Sequence, residues 1–193
     1  MKKGKFIVLE GLDGCGKSTI STFIQKTFKA DLLNALPKGI KPWLEIVGNT
    51  KLPEATFSYF TLCNILKSQE IESIILSGRN VILDRYFYTT YVYHQEIIKE
   101  NFPTGIKDFY KNLIQPDLVI FLDVPQEIRK ERITCRPGEL QWYGDAISVK
   151  TDLTNSYFKL FSDLNTKFLS VDNHKNNIEQ SIKIINQEID QLK

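Results

Sequence analysis

The sequence predicts an α/β fold: a doubly wound, five-stranded parallel sheet flanked by helices. Two observations carry this prediction. Short, continuous apolar runs alternate with stretches of helical periodicity, and a glycine-rich segment joins the first apolar run to the first helical stretch. With 193 residues, of which 42% are hydrophobic and 25% charged, the chain has the size and composition of one domain. We therefore interpret residues 1–193 as a single domain.

Five strands are expected, most of them buried on both faces because their apolar residues do not alternate with polar ones. The strongest run is 117–124, and 31–36 is the weakest because Pro37 and Gly39 follow it closely. The predicted strands are 6–9, 31–36, 81–84, 117–124 and 168–171.

Helical periodicity fills the intervals between these strands. The longest predicted helix has Pro53 in its first turn and Gly78 just after its end, which is the usual placement of both residues. Segment 38–51 contains Pro42 and Gly48 and has no clear period, so we predict a connecting loop with one helical turn. The predicted helices are 17–29, 53–76, 86–100, 105–114, one ending near 135, 146–164 and 178–192.

Net charge, the lengths of apolar runs and the cysteine positions argue against several classes of protein. A net charge of +2 is not the footprint of a nucleic-acid-binding protein, and no run of about 20 apolar residues predicts a membrane span. Cys15, Cys63 and Cys135 are too scattered for a zinc site or a disulfide framework. The first apolar run is shorter than that of a secretory signal, so a cytoplasmic location is expected.

Residues 11–18, with the sequence GLDGCGKS, fit the phosphate-binding pattern GxxxxGK[ST] and lie between a predicted strand and a predicted helix. In this setting backbone N–H groups surround phosphates, the lysine reaches the β and γ oxygens, and the serine ligates Mg²⁺. A glycine-rich turn without a ligand is the alternative, but it would have no use for Lys-Ser at the helix start. The predicted ATP-binding residues are Gly11, Asp13, Gly14, Cys15, Gly16, Lys17, Ser18 and Thr19.

Two charged residues follow the strand predicted at 81–84. Asp84 is expected at the carboxyl edge of the sheet, where ligands of such folds bind, and could hold Mg²⁺ or orient an acceptor hydroxyl. Arg85 offers a planar fork that suits a phosphate. A strand-end salt bridge or a helix cap is the alternative for this pair. Asp123 ends another predicted strand, but because Pro125 follows it, we interpret Asp123 as structural.

Arg129, Arg132 and Arg136 are spaced to share one helical face before a loop that is rich in glycine and proline. Arginines on such loops close over transferring phosphoryl groups, so we predict a lid within about 136–146, with Arg132 and Arg136 as catalytic residues. A solvated basic face, paired with acidic residues of the same helix, is the alternative.

Several segments together resemble the thymidylate kinase family of nucleoside monophosphate kinases, over nearly the whole chain. This resemblance implies a P-loop kinase fold with a short lid, and the ATP- and Mg²⁺-dependent phosphorylation of dTMP to dTDP. It also implies that Arg85 binds the acceptor phosphate and that Asp84 assists Mg²⁺ or acceptor placement. The segments that carry the resemblance are 6–19, 84–86, 116–124, 131–132, 136–140 and 171–172.

The resemblance further implies the acceptor site. Asp13 corresponds to the residue that contacts the sugar 3′-hydroxyl, Phe60 to an aromatic ring that stacks on the base, and Thr89 and Tyr93 to residues lining the base pocket. Asn64 stands where the family has an arginine that helps to fix thymine and its phosphate. An amide cannot replace the charged fork of an arginine.

Two further departures are the sequence at 34–37, where the family has Arg-Glu-Pro-Gly, and Gln141 and Trp142 in the expected lid. Together with Asn64, these departures leave two alternatives open. The chain could phosphorylate another nucleotide, a deoxynucleoside or a non-nucleoside acceptor, or it could be a nucleotide-binding protein with weak transfer activity. The expected partner is a small-molecule nucleotide, with no nucleic acid and no membrane, and the helix at 53–76 suggests a homodimer of the kind this family forms.

Overall fold

The computed structural model describes residues 2–135, 147 and 150–192. Within them, five parallel strands form one sheet in the order β2-β3-β1-β4-β5. The strands are β1 (Phe6–Glu10), β2 (Ala30–Asn34), β3 (Asn80–Asp84), β4 (Leu118–Asp123) and β5 (Phe168–Asp172). The predicted five-stranded parallel sheet is confirmed.

Helices connect these strands, as parallel pairing requires. They are α1 (Lys17–Phe28), α2 (Trp43–Asn49), α3 (Pro53–Leu76), α4 (Phe87–Ile98), α5 (Ile106–Tyr110), α6 (Gln126–Thr134), α7 (Thr154–Asp163) and α8 (Ile178–Asp190). A short 3₁₀ helix, Lys99–Asn101, follows α4. In the described part of the chain, no helix is long and apolar enough to span a membrane.

The two faces of the sheet pack against separate apolar clusters. Successive residues of β1 alternate between them: Phe6 and Val8 belong to one cluster, and Ile7 and Leu9 to the other, and all four are fully buried. Burying one such side chain contributes roughly 1.5–3 kcal/mol. This packing on both faces explains why the strands read as unbroken apolar runs, and it fixes the edge of the sheet at which the connecting loops emerge.

The long helix has the predicted bounds, but other segments differ from the prediction. The helix predicted at 105–114 is the shorter α5, which ends at Tyr110. Residues expected to form a loop contain the seven-residue helix α2, because Leu44 packs with Tyr59 and Cys63 of α3 in a small cluster of its own. In the helix predicted at 146–164, the described residues Ile147 and Lys150 are helical, but residues 151–153 are not, and α7 begins at Thr154. There the Asp152 carboxylate accepts hydrogen bonds from the N–H and hydroxyl of Thr154, a local turn that competes with helix continuation.

Candidate functional site

The glycine-rich loop leaves the carboxyl end of β1, the central strand of the sheet, and leads into α1. On one side of β1, Leu9 is paired with Asp84 at the end of β3. On the other side, Glu10 is paired with Phe121 of β4. The loops that follow β1, β3, β4 and β5 therefore meet at one edge, which is where open α/β sheets bind ligands.

The loop closely contacts helix α6. Gly14 has a φ of +83°, and a Cβ at this position would lie 2.8 Å from the carbonyl oxygen of Arg129, so only glycine fits here without strain. Arg132, an exposed residue, donates from its guanidinium to the carbonyl of Gly14 at 3.2 Å. Helix α6 thus brings an arginine side chain to the phosphate-binding loop.

Lys17 is buried at the first position of α1, and its ammonium group lies within the loop. It donates to the carbonyl of Gly11 at 2.7 Å and to that of Leu12 at 3.2 Å, and its Nζ is 3.6 Å from the sulfur of Cys15. The first turn of α1 carries no acidic residue that would compete for this cation or for the positive end of the helix. A positive charge, a helix N-terminus and a curled backbone therefore converge, as a polyphosphate site requires.

Ser18 and Asp84 are the predicted Mg²⁺ ligands, and their chemistry fits that ion. Ser18 is exposed in the first turn of α1. The Oδ1 atom of Asp84 is buried and has no hydrogen-bond partner in the part of the chain that the structure describes. A carboxylate oxygen in this state is unfavourable unless a cation or a water molecule satisfies it. Mg²⁺ takes such oxygen ligands together with phosphate oxygens.

Arg85 and Asp13 form an ion pair that joins the end of β3 to the glycine-rich loop. The hydroxyl of Tyr93 donates to the other oxygen of the Asp13 carboxylate at 3.0 Å, and the guanidinium of Arg85 lies 5.7 Å from the centre of the Tyr93 ring. Burial is the largest single influence and opposes the charge on Arg85, but Asp13 together with Tyr93, Tyr157 and Asp84 outweighs it and raises the pKa of Arg85. Arg85 therefore stays a cation beside the loop.

Glu10, which the sequence reasoning did not place among the site residues, fixes the turn that carries Arg85. Its side chain is fully buried at the end of β1 and accepts from the backbone N–H of Tyr86 at 2.9 Å and from the hydroxyl of Thr89 at 2.6 Å. Arg85 has a φ of +68°, the left-handed region that non-glycine residues seldom adopt. The hydrogen bond that the N–H of Tyr86, the next residue, donates to Glu10 helps to hold this strained conformation.

Burial raises the pKa of Glu10, while the bond from Thr89, the charge of Arg85 and the bond from Tyr86 act in the opposite direction. The sequence contains one local indication that Glu10 has a special role: it is an acidic residue that ends an apolar run directly before Gly11. An isolated carboxylate in a strand that is otherwise fully apolar indicates a buried polar contact.

Tyr157 of α7 belongs to the same hydrogen-bond network as Glu10, Thr89 and Arg85. No local sequence pattern predicts that it does. Its hydroxyl lies 2.8 Å from that of Thr89, and because Thr89 donates its proton to Glu10, Tyr157 is the donor of the second bond. Arg85 also donates to the Thr89 hydroxyl, at 3.3 Å. Burial, followed by the charge of Glu10, raises the pKa of Tyr157 far above its ordinary value.

Phe60 and Asn64 lie on the face of α3 that packs against α4. Asn64 is buried, and its amide nitrogen donates to the hydroxyl of Thr90 at 3.0 Å. The ring of Phe60 is half-buried, 5.8 Å from the ring of His94. The structure therefore places Asn64 beside Thr90, the neighbour of the predicted pocket residue Thr89. The roles of Phe60 and Asn64 in base recognition stay predictions.

The prediction that Arg129 shares an exposed face of α6 with Arg132 and Arg136 is wrong for Arg129. Arg129 is 1% exposed, and its Nε donates to the carbonyl of Val124, so this residue belongs to the protein interior and not to a solvated basic face. Ile133, four residues later, is also buried, so Arg129 lies on the side of the helix that faces the core. Arg136 and the predicted lid segment, about 136–146, lie outside the described residues.

Asp123 is half-buried at the end of β4. Burial raises the pKa of its carboxyl group, the charges of Asp152 and Asp172 add to this effect, and Arg129 opposes it. Two neighbouring carboxylates make this position a poor second site for a phosphate. The structural interpretation of Asp123 stays a prediction that agrees with this environment.

Comparisons with known proteins agree on one family. The family model described as thymidylate kinase matches residues 9–185. A probable thymidylate kinase from Methanococcus maripaludis strain C7 is 30% identical over 172 residues, which cover 86% of this chain and 81% of that protein. The thymidylate kinase of Plasmodium falciparum is 28% identical over 171 residues, which cover 83% and 77% of the two chains.

Two solved structures have a similar fold. The thymidylate kinase of Candida albicans superposes with a TM-score of 0.75 at 21% identity, covering 98% of this chain and 92% of that one. A deoxyadenosine kinase from M. mycoides with bound dATP superposes with a TM-score of 0.72 at 20% identity, covering 96% and 99%. At these identities the likeness shows the fold alone.

Proposed function

The chain belongs to the thymidylate kinase family, and we propose that it transfers the γ-phosphate of ATP to dTMP, giving ADP and dTDP. The observation that carries this proposal is the ion pair between Asp13 and Arg85. Asp13 is a residue of the phosphate-binding loop, and Arg85 is the cation that ends the neighbouring strand. A residue of the ATP-binding loop and the proposed ligand of the acceptor phosphate are thus joined in one cluster.

In the proposed reaction, an oxygen of the acceptor phosphate attacks the γ-phosphorus, and the bond between the β–γ bridging oxygen and that phosphorus breaks, so that ADP leaves. A phosphate monoester is mostly dianionic at neutral pH because its second pKa is about 6, so the attacking oxygen needs no general base. The protein has to bring two anions together and stabilise the charge of the transferring group. Bound Mg²⁺ would neutralise donor phosphate charge, with Ser18 and Asp84 as its protein ligands.

Different cationic side chains would bind the two substrates. Lys17 would contact the β and γ oxygens of ATP, and Arg85 would contact the acceptor phosphate through free positions of its five-donor fork. Arg132, already bonded to the loop at Gly14, is placed to share the charge of the transferring phosphoryl group. Asp13 would accept from the 3′-hydroxyl of the acceptor sugar.

The acceptor is tested by a screen of the purified chain with ATP and Mg²⁺. Candidates are dTMP, dUMP, dCMP, dAMP and dGMP, together with the matching deoxynucleosides, and ADP release is measured for each. We expect the highest kcat/KM for dTMP. A higher kcat/KM for any other compound contradicts the proposed acceptor, and no release of ADP with any of them contradicts kinase activity on deoxynucleotides and deoxynucleosides.

One observation favours a different acceptor as the second candidate. Asn64 is neutral, and its amide donates to Thr90 within the contact between α3 and α4. The amide has both a donor and an acceptor end, whereas an arginine only donates. The same screen tests this candidate, since a kinase for another deoxynucleotide or for a deoxynucleoside would give its highest kcat/KM with that compound.

A further inference from the structure

Asn173 is the first residue after β5, and neither the motif nor the reaction described above uses it. Its backbone N–H donates to the carbonyl of Asp123 at 2.9 Å, which extends the pairing of β4 and β5 by one residue. This bond keeps the start of the loop after β5 at the same edge of the sheet as the phosphate-binding loop.

The side chain of Asn173 links that edge to the phosphate-binding loop. Its amide nitrogen donates to the carbonyl of Cys15 at 2.8 Å, and its amide oxygen accepts from the hydroxyl of Ser181 at 2.8 Å. A carbonyl can only accept, so the nitrogen end of the amide must face Cys15. Ser181 lies on α8 and is fully buried, which holds the other end in place.

The peptide between Cys15 and Gly16 lies directly against this amide. A Cβ on Gly16, whose φ is +94°, would lie 2.9 Å from the amide nitrogen of Asn173. In a trans peptide the C=O and the N–H point in opposite directions. Fixing the carbonyl of Cys15 on Asn173 therefore points the N–H of Gly16 away from Asn173. Gly16 is also the N-cap of α1, where donors face a bound anion.

We propose that Asn173 is a positioning residue for the phosphate donor: by holding the carbonyl of Cys15, it aims the N–H of Gly16 at the phosphates of ATP. It acts through Gly16 and touches no substrate itself. This inference rests on the proposed function only in that ATP is the donor; the identity of the acceptor does not enter it.

The test is Asn173→Asp, which keeps the shape of the side chain but removes the donor facing Cys15. The affinity of the variant for a non-hydrolysable ATP analogue with Mg²⁺ is measured by calorimetry without any acceptor. We expect binding about tenfold weaker than wild type, from the lost hydrogen bond and the added negative charge. The KM for dTMP should stay at the wild-type value.

A pH series separates positioning from a general structural role. A protonated aspartic acid can donate to the carbonyl of Cys15 again, whereas the carboxylate cannot. The ratio of variant to wild-type Kd should therefore fall as the pH is lowered from about 8 to about 5.5, towards the range in which an aspartate beside a carbonyl gains its proton. A ratio that does not change with pH contradicts the assigned hydrogen bond.

Asn80→Asp is the matched control. Asn80 also bridges two backbone groups, because its amide donates to the carbonyl of Phe28 at 3.1 Å and accepts from the N–H of Lys5 at 2.9 Å. It begins β3, so it lies at the opposite edge of the sheet. Its substitution should lower the melting temperature and leave the affinity for the ATP analogue at the wild-type value.

Asn173→Ala provides a second variant for the case in which the aspartate variant does not fold. If the wild-type chain binds the analogue and a folded Asn173 variant binds it equally well, the inference is overturned while the proposed function stands. If the wild-type chain itself does not bind the analogue, both are overturned.

Discussion

The proposed ATP-binding part of the site (the donor half) and the proposed dTMP-binding part (the acceptor half) consist of different chemical groups. The donor half is mainly backbone, a curled loop whose Gly14 contacts α6 and whose Cys15 carbonyl contacts Asn173, just after β5, with Lys17 as its principal charged group. The acceptor half consists of side chains from the ends of two strands and from two helices, of which Glu10 and Tyr157 are the most deeply buried. A backbone site depends on local conformation, whereas a side-chain network depends on the whole fold.

This difference predicts that substitutions in the two halves affect different kinetic constants. The largest effect is expected for Lys17→Ala, because Lys17 is a buried cation inside the phosphate-binding loop, residues 11–18 (the donor loop). Removing one charged donor that stabilises a transferring group should lower kcat by about 10³-fold. Steady-state ADP release measures this. Lys26→Ala, an exposed lysine in the last turn of the same helix, is the control and should keep wild-type kcat. A Lys17→Ala variant with near wild-type kcat contradicts the donor assignment.

The second largest effect is expected in the acceptor half, for Arg85→Lys. Lysine keeps the charge but not the planar fork, so it cannot serve Asp13, Thr89 and a phosphate together. We expect kcat/KM for dTMP to fall about 10²-fold, while the Kd for ATP stays unchanged. The same substitution at Arg79, whose partner Asp31 is exposed, should change neither constant. Equal losses for both substrates would mean that the two halves are not separate.

The same contrast explains what could be predicted from the sequence. The sheet follows from apolar runs, and the donor loop from eight consecutive residues, because in both cases the signal is local. Tyr157 has no such local signal, and the local signal at Glu10 indicates a buried polar contact but not its partners. Glu10 and Tyr157 contact Thr89 across 79 and 68 residues of chain, respectively. Asn173 contacts Cys15 across 158 residues. Such contacts follow from strand order and helix packing, which no single stretch of sequence contains.

A smaller effect, with a distinctive pH dependence, is expected for Glu10→Gln. Glutamine offers only one acceptor oxygen in place of two, so it cannot accept from both Tyr86 and Thr89. The turn that carries Arg85 is then held less firmly, and kcat/KM for dTMP should fall about tenfold. Glu127→Gln, at a side chain that is 82% exposed, is the kinetic control and should behave as wild type.

The stability of the Glu10→Gln variant tests the protonation of Glu10. Because burial raises its pKa above the ordinary 4.5, the folded protein binds this proton more tightly than the unfolded chain does. The stability that Glu10 contributes is therefore fully present below about pH 4.5 and is lost as the pH rises through the higher pKa of the folded state. Chemical denaturation at several pH values should show that the wild type's advantage over the variant shrinks with rising pH. An advantage that grows over this range would mean that the pKa is lowered.

The smallest effect is expected for Tyr157→Phe, which removes one neutral hydrogen bond, the one between the hydroxyls of Tyr157 and Thr89. The Thr89 hydroxyl keeps its bond to Glu10, so the network is loosened but not broken. The loss of about 1 kcal/mol should lower kcat/KM for dTMP about fivefold and leave the Kd for ATP unchanged.

Tyr88→Phe is the matched control for this last variant. Tyr88 is also fully buried, and its hydroxyl lies 3.3 Å from that of Thr166, which is not among the residues proposed to contact either substrate. Both variants should unfold at similarly reduced denaturant concentrations, but only Tyr157→Phe should affect dTMP. If the two variants have the same kcat/KM for dTMP, Tyr157 contributes only to packing, and the acceptor half ends at Thr89. If only Tyr157→Phe is impaired, α7 is part of the acceptor half, and residues that fix its start, such as Asp152, become the next positions to vary.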